Sequence, residues 1–217
     1  IDSVLFPVMS SVQDDRERVK DMTRKSIKVS VYVMAPLMMG LAFTAESVVR
    51  LVLTDKWLAC IPFLRIFSIT YMFYPIHTAN LNAIKAMGRS DLFLKLEIIK
   101  KGVGLILMIS SIQFGVLAMA YSMLLGNVIS QVINSWPNRK LLGYSYADQI
   151  KDILPSILLA VFMGICVYMV TFFNLSSFIT LCIQMISGAL IYIISSAVFK
   201  MDSFLYLWNL LKTVIHR

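Results

Sequence analysis

The side chains with the most chemistry to offer are few and stand in apolar surroundings: Arg50, Lys56 and Arg65, then His77 and Asn80, then Asn127 and Gln131, with Glu46 close to the first group. A guanidinium presents a forked donor array that matches phosphate oxygens, so Arg50 and Arg65, with Lys56 beside them, are candidates for holding an anion. Glu46 precedes Arg50 by four residues and can pair with it on a helix. It is also the acidic group that could couple cation entry to another event. Asn127, Gln131 and Asn134 fall at i, i+4 and i+7, and His77 and Asn80 at i and i+3, so each set shares one helix face.

The elements that carry these residues belong to a membrane. Hydrophobic residues make up 59% of the 217, charged residues only 15%, and the mean hydropathy is +0.78, which leaves too little polar surface for a soluble globule. Gly102 to Asn138 and Ile153 to Phe199 are runs of 37 and 47 residues without a charged side chain, each long enough for two helices of about 20 residues. The runs are continuously apolar, unlike the alternating strands of a membrane barrel, and the chain therefore reads as an all-α polytopic membrane bundle.

Six spans are expected, at about Ile27 to Leu53, Ile61 to Ile84, Leu92 to Ile112, Val116 to Ile133, Ile153 to Phe173 and Phe178 to Val198. Gln113-Phe114-Gly115 and Asn174-Leu175-Ser176-Ser177 divide the long runs into tight helical hairpins. Pro36, Gly102 and Gly104 are candidates for bends, although ordinary helix packing explains them equally well. Every Lys and Arg except Arg50, Lys56 and Arg65 lies in one of four segments: Arg16 to Lys28, Lys85 to Lys101, Arg139 to Lys151 and Lys200 to Arg217. Basic residues accumulate in cytoplasmic loops, which puts those segments and both ends of the chain inside and the remaining connectors, including Thr54 to Cys60, outside.

In such a setting two readings stay open for the polar residues. His77, Asn80, Asn127 and Gln131 either line a hydrophilic seam or make interhelical hydrogen bonds worth ~0.6 kcal/mol each. Arg50 and Arg65 either meet a ligand or snorkel to the outer interface. The charged stretch Gln13 to Lys25 suits a solvated helix with pairs three or four apart. Met201, Phe204, Leu205, Trp208, Leu211 and Ile215 recur at helical spacing, as in a helix lying in the inner interface or packed on the bundle.

Several chemistries are excluded. Cys60, Cys166 and Cys182 are far apart and His77 and His216 are the only histidines, so no metal-ligand spacing exists. No Gly-rich phosphate loop ends in Lys and Ser or Thr, and no paired carboxylates or nucleophile and base lie within the spans. Neither an enzyme, a cofactor nor a nucleic-acid partner is expected. The chain begins at Ile1 rather than Met, and Ile1 to Met9 reads as the end of a preceding span that stops at Pro7, so a longer protein is expected.

Five short motifs occur in order: Phe6-Pro7 with Ser10-Ser11, Gln13-Asp14-Asp15-Arg16-Glu17-Arg18, Ala35-Pro36-Leu37-Met38-Met39-Gly40-Leu41, Asp55-Lys56-Trp57, and Ala86-Met87-Gly88-Arg89-Ser90. Together they resemble the later half of bacterial polysaccharide flippases, the O-antigen and exopolysaccharide transporters of the multidrug/oligosaccharidyl-lipid/polysaccharide superfamily. The resemblance runs from Ile1 to about Arg139 and rests beyond that on two further spans. It departs at Asp55, where family members often have Gly.

The resemblance implies the second lobe of a two-lobed flippase plus two terminal spans. Residues 1–26 would be the end of a span and a charged cytoplasmic connector, 27–135 a four-helix part of the lobe, 136–152 a cytoplasmic loop, 153–198 the terminal spans and 199–217 an amphipathic tail. It further implies alternating access in the bacterial inner membrane, acting on undecaprenyl-pyrophosphate-linked oligosaccharide, among membrane lipids and with polysaccharide polymerase or chain-length machinery as candidate partners. A multidrug/cation antiporter of the same superfamily, coupled through Glu46, and a non-transporting scaffold of the polysaccharide machinery are the alternatives.

Overall fold

The computed structural model describes residues 2–173 and 175–215. Ten α-helices are present among them: α1 (Asp2–Ser10), α2 (Arg16–Phe43), α3 (Ala45–Val52), α4 (Ile61–Met72), α5 (Tyr74–Ala86), α6 (Ser90–Ile112), α7 (Val116–Leu141), α8 (Tyr146–Met169), α9 (Ser177–Val198) and α10 (Asp202–Ile215). Single 3-10 stretches at Asp55–Cys60 and Val170–Phe173 complete the described secondary structure. The all-α expectation holds, and five stretches among the described residues are long and apolar enough to cross a membrane.

The spans differ from the expected ones in ways that have local causes. α6 is long enough but carries Asp91, Lys95, Glu97, Lys100 and Lys101, so it does not qualify on composition, and five rather than six helices do. The first span is not one helix from Ile27 to Leu53: α2 starts eleven residues earlier and stops at Phe43. At that stop the Thr44 backbone N–H and hydroxyl both donate to the Gly40 carbonyl, at 2.9 and 2.8 Å. The second span breaks at Phe73, just before Pro75 at the start of α5, because proline lacks an N–H and fits only the first turn of a helix. Conversely Pro7 does not end α1, which continues to Ser10. Ile1, Asn174, His216 and the Ile215 side chain lie outside the described residues.

Two compact units emerge. Residues 1–27 and 73–153 form the first, residues 28–72 and 154–217 the second. In the first, α6 and α7 make the expected hairpin around Gly115, whose φ of +88° is one that a side chain would strain. Ser111 donates to Ser122 across this hairpin at 3.1 Å. An apolar cluster of Leu81, Ile84 and Leu96, joined by Phe93, Ile133 and Leu141, holds α5 against the pair.

The charged start of α2 belongs to this first unit. The Asp15 carboxylate caps it by accepting from the Arg18 backbone N–H at 3.0 Å, and Glu17–Lys20 and Asp21–Lys25 pair along the exposed face. Val19, Thr23 and Ile27 turn inward and are fully buried. Arg24 donates both arms of its fork to Asp152 at 2.7 Å, and the Tyr144 hydroxyl donates to the same carboxylate at 2.9 Å. Burial, and after it the bond to Asp152, pushes the Tyr144 hydroxyl well above the ordinary phenol range, so it remains a donor at any physiological pH.

In the second unit α9 packs with an unusual stripe. Thr180, Gln184, Gly188, Tyr192 and Ser196, each four apart, are its buried residues, while Ile183, Ile186, Ile193 and Ile194 are exposed. Such an arrangement fits a helix whose surroundings are apolar and whose protein contacts are small or polar. Gly188 admits close approach: a Cβ there would lie 3.1 Å from the Val167 side chain. At Gly164 of α8 a Cβ would fall 2.2 Å from the Phe43 ring, so only glycine fits.

α2 passes through Pro36 without interruption, which leaves the Tyr32 carbonyl with no N–H four residues on. The Tyr192 hydroxyl donates to that carbonyl at 2.8 Å, with the two tyrosine rings 5.1 Å apart. An orphaned buried carbonyl costs about 1–3 kcal/mol, so Tyr192→Phe is expected to destabilise the protein by roughly that amount. Adding Pro36→Ala supplies a backbone N–H and should recover most of the loss. Thermal unfolding of the purified protein and the two variants checks this, and equal midpoints for the single and double variants would contradict it.

Candidate functional site

The residues singled out from the sequence fall into one group in each unit. In the second unit the Thr54 backbone sits at φ +75°, a region disfavoured for a side-chain-bearing residue, and turns the chain into the 3-10 stretch at Asp55–Cys60. This is the loop where the motif has Asp55 in place of the usual Gly. The Asp55 carboxylate accepts from Arg50 at 2.6 Å, and Glu46, one turn before Arg50, accepts from it at 3.0 Å. Arg50 is thus clamped between two carboxylates at the end of α3. The pairing of Glu46 with Arg50 expected from their spacing is present, and it leaves neither charge uncompensated.

Lys56 is exposed in the same loop. Arg65, on α4, differs: it is exposed, no ion pair or hydrogen bond engages it among the described residues, and it borders a cavity of about 350 Å³ with Met39, Ala42, Phe43, Ile69, Val161 and Tyr168. Its guanidinium therefore has donors free beside an apolar and aromatic cavity wall, as the exposed Lys56 ammonium has in its loop. A second cavity of about 610 Å³ runs beside α2 and α9, past Pro36, Gly40, Gln184 and Tyr192, and its lining is mostly apolar.

In the first unit the polar residues meet. Asn80 is fully buried; its amide nitrogen donates to the Ile76 carbonyl, Ser135 and Gln149, at 2.9, 3.2 and 2.8 Å, and its oxygen accepts from Asn138 and Gln149, at 2.6 and 2.9 Å. This network ties α5, α7 and the start of α8 together, so Asn80 makes the interhelical bonds that were one of its two readings. Gln131 is likewise buried and donates to Asn127 at 2.8 Å. His77 stacks on Tyr74 with centroids 5.9 Å apart, and its Nδ1 lies 2.6 Å from the Asn134 amide nitrogen.

Two features were missed from the sequence. Glu97 and Lys100 sit on α6 as an ion pair at 2.5 Å, the lysine side chain only 7% exposed, because they were counted within a solvated basic segment. Their i, i+3 spacing beside a continuously apolar run was the available signal. The α9 stripe was legible too, as five polar or small residues four apart inside a hydrophobic run. No group of three or more potential metal ligands exists among the described residues.

The family described as "Polysaccharide biosynthesis protein" matches residues 1–62. The lipopolysaccharide biosynthesis protein WzxC of Escherichia coli is 26% identical over 178 residues, covering 76% of this chain and 35% of that protein. The teichuronic acid biosynthesis protein TuaB of Bacillus subtilis is 24% identical over 198 residues, 88% of this chain and 40% of its own length. Among solved structures, lipid II flippase MurJ in an inward closed conformation superposes with a TM-score of 0.75 at 22% identity, covering 92% of this chain and 43% of that one.

These similarities support the resemblance read from the sequence: the chain is a multi-pass membrane protein similar to polysaccharide biosynthesis proteins and, in its fold, to a lipid flippase. It spans well under half the length of the curated relatives it matches.

The buried network separates structural from surface polar residues. Asn80→Ala strips Asn138 and Gln149 of their Asn80 side-chain partner, leaving them the Asn80 carbonyl and Ser135 respectively, and is expected to cost about 2–4 kcal/mol, whereas Lys56→Ala should stay within about 0.5 kcal/mol of the parent. Denaturation of both variants checks the contrast; similar stabilities would refute it.

Proposed function

We propose that the chain is part of an inner-membrane flippase that moves lipid-linked oligosaccharide, with an undecaprenyl-pyrophosphate carrier, from the cytoplasmic to the outer leaflet for surface polysaccharide or lipopolysaccharide synthesis. The observation that carries the reading is Arg65: an exposed guanidinium, without a hydrogen bond or ion pair among the described residues, that borders a cavity otherwise lined by Met, Ala, Phe, Ile, Val and Tyr. A pyrophosphate head cannot cross hydrocarbon unaided, while its isoprenoid tail can stay in lipid, so the protein need only shelter the head and offer it donors. Arg50 serves as a structural cation between Glu46 and Asp55, and Lys56 adds positive charge in the exposed loop. Alternating access is the transport mode that this reading implies. The basic segments anchor the cytoplasmic side, and polysaccharide polymerase or chain-length machinery would take over the product.

The test uses the full-length protein in proteoliposomes with a lipid-linked oligosaccharide whose outer-leaflet exposure is scored by a lectin. Arg65→Gln removes a charged hydrogen-bonding partner and should slow translocation roughly tenfold or more, while Arg65→Lys retains a larger share. A parental rate in Arg65→Gln would remove Arg65 from the path. No translocation by the well-folded parent would remove the flippase reading itself.

A further inference from the structure

The last helix is amphipathic and barely packed against its unit. α9 ends in a turn where the Met201 N–H donates to the Ser196 carbonyl at 3.1 Å and the Lys200 N–H to the Ala197 carbonyl at 3.2 Å. These two bonds, with Lys200 at φ +47°, close the helix and turn the chain off its axis. α10 is therefore not a continuation of the span. Its 14 residues extend about 21 Å, short of a hydrocarbon core of about 30 Å, so it cannot cross a membrane by itself. Only Phe199, Lys200 and Met201 separate it from α9, one of the helices apolar enough to span, so α10 starts at the membrane surface.

Two stripes run along α10. Asp202, Tyr206, Asn209 and Thr213 fall at i, i+4, i+7 and i+11 and make a polar line. Phe204, Leu207, Trp208 and Leu211 fall at i, i+3, i+4 and i+7 on the opposite side. The Lys28 ammonium holds the Asp202 carboxylate at 2.9 Å and Ser203 is buried, which ties the first turn down to α2. Beyond that turn no described side chain of α10 is buried: Trp208 is 49% and Leu211 55% exposed. An apolar face of this kind needs a cover.

The surroundings identify the cover. Val198 and Phe199 are also exposed, so apolar exposure runs from the end of α9 into α10 without a break. The Lys212 ammonium lies 5.7 Å from the Trp208 ring, at the edge of the apolar face, where a lysine reaches from the acyl chains up to headgroups. Lys200 is exposed at the turn, and neither lysine has an ion pair among the described residues. The Asp202 carboxylate is already answered by Lys28, so the charges left over in this segment are positive.

We propose that α10 is an in-plane membrane anchor that binds anionic phospholipid. Phe204, Leu207, Trp208 and Leu211 enter the leaflet in which α9 ends, the polar line faces water, and Lys200 and Lys212 meet the headgroup phosphates. The inference needs only that α9 crosses the membrane and is independent of what the protein moves.

The experiment uses the full-length protein with every tryptophan except Trp208 replaced by phenylalanine, in vesicles of phosphatidylcholine with or without phosphatidylglycerol. Bromine on an acyl chain quenches an indole on contact, so its position on the chain reports depth. Bromine near the headgroup end is expected to quench Trp208 at least about twofold more than bromine near the methyl end, with little quenching by aqueous iodide. Trp208→Phe combined with Asn209→Trp moves the indole to the polar line and should reverse this, giving strong iodide and weak bromine quenching. No bromine quenching at position 208 would mean that protein covers the face, and equal behaviour at 208 and 209, or deepest-bromine quenching, would rule out a helix lying in the plane; each overturns the anchor. Brominated phosphatidylglycerol should quench Trp208 about twofold more than brominated phosphatidylcholine at the same mole fraction. Lys200→Gln with Lys212→Gln should bring that ratio to about one and leave the shallow quenching in place. Equal quenching by the two lipids in the parent, or an unchanged ratio in the double variant, overturns the anionic-lipid contact.

Discussion

A polar group surrounded by hydrocarbon has no water to fall back on, so the protein must supply its partner or bear several kcal/mol for the omission. In the second unit this constraint turns α9 so that its isoleucines face outward and Thr180, Gln184, Tyr192 and Ser196 face in. It also makes Pro36 tolerable, since the carbonyl freed at Tyr32 is answered by the Tyr192 hydroxyl. In the first unit it gathers Asn80, Ser135, Asn138 and Gln149 into a network that fixes α5 to α7 and to the start of α8. The helices are held by what they must hide from lipid as much as by apolar packing.

The same constraint sorts the charges. Arg50 is neutralised twice and becomes part of a loop; Arg24 and Tyr144 share the Asp152 carboxylate and pin the connector between α7 and α8. What stays uncompensated is then chemically conspicuous: the exposed Arg65 guanidinium beside its cavity, and the buried oxygens of Asn134, Asn138, Gln184 and Ser196.

Much of this architecture could be read in the sequence because long uncharged runs and basic clusters report on length and topology without tertiary information. The Gln113–Gly115 hairpin and the Glu46–Arg50 pair follow from spacing alone. The breaks at Thr44 and Phe73 were less accessible. The first depends on a side-chain bond to the preceding turn, and the second on Pro75, which marks a helix start only once α4 is known to end there. Asn80, Gln131 and Asn134 were recognised as one polar set, but which of them is satisfied by its neighbours depends on the register of α5 against α7. Glu97 and Lys100 were hidden by their company. Five charged residues in α6 suggest a solvated segment, and only packing against α7 shows that Lys100 is buried.

The central claim is that each unit conceals its polar residues from the lipid, and spin-label accessibility along α9 tests it most directly. Single labels at residues 180, 184 and 196, and for comparison at 183, 186 and 194, would be placed in the full-length protein with Cys60, Cys166 and Cys182 replaced, and oxygen collision rates measured in bilayers. Low rates at the first set and high rates at the second, alternating with helical period, are the result predicted. Equal rates around the helix, or the highest rates at 184 and 196, would contradict the account.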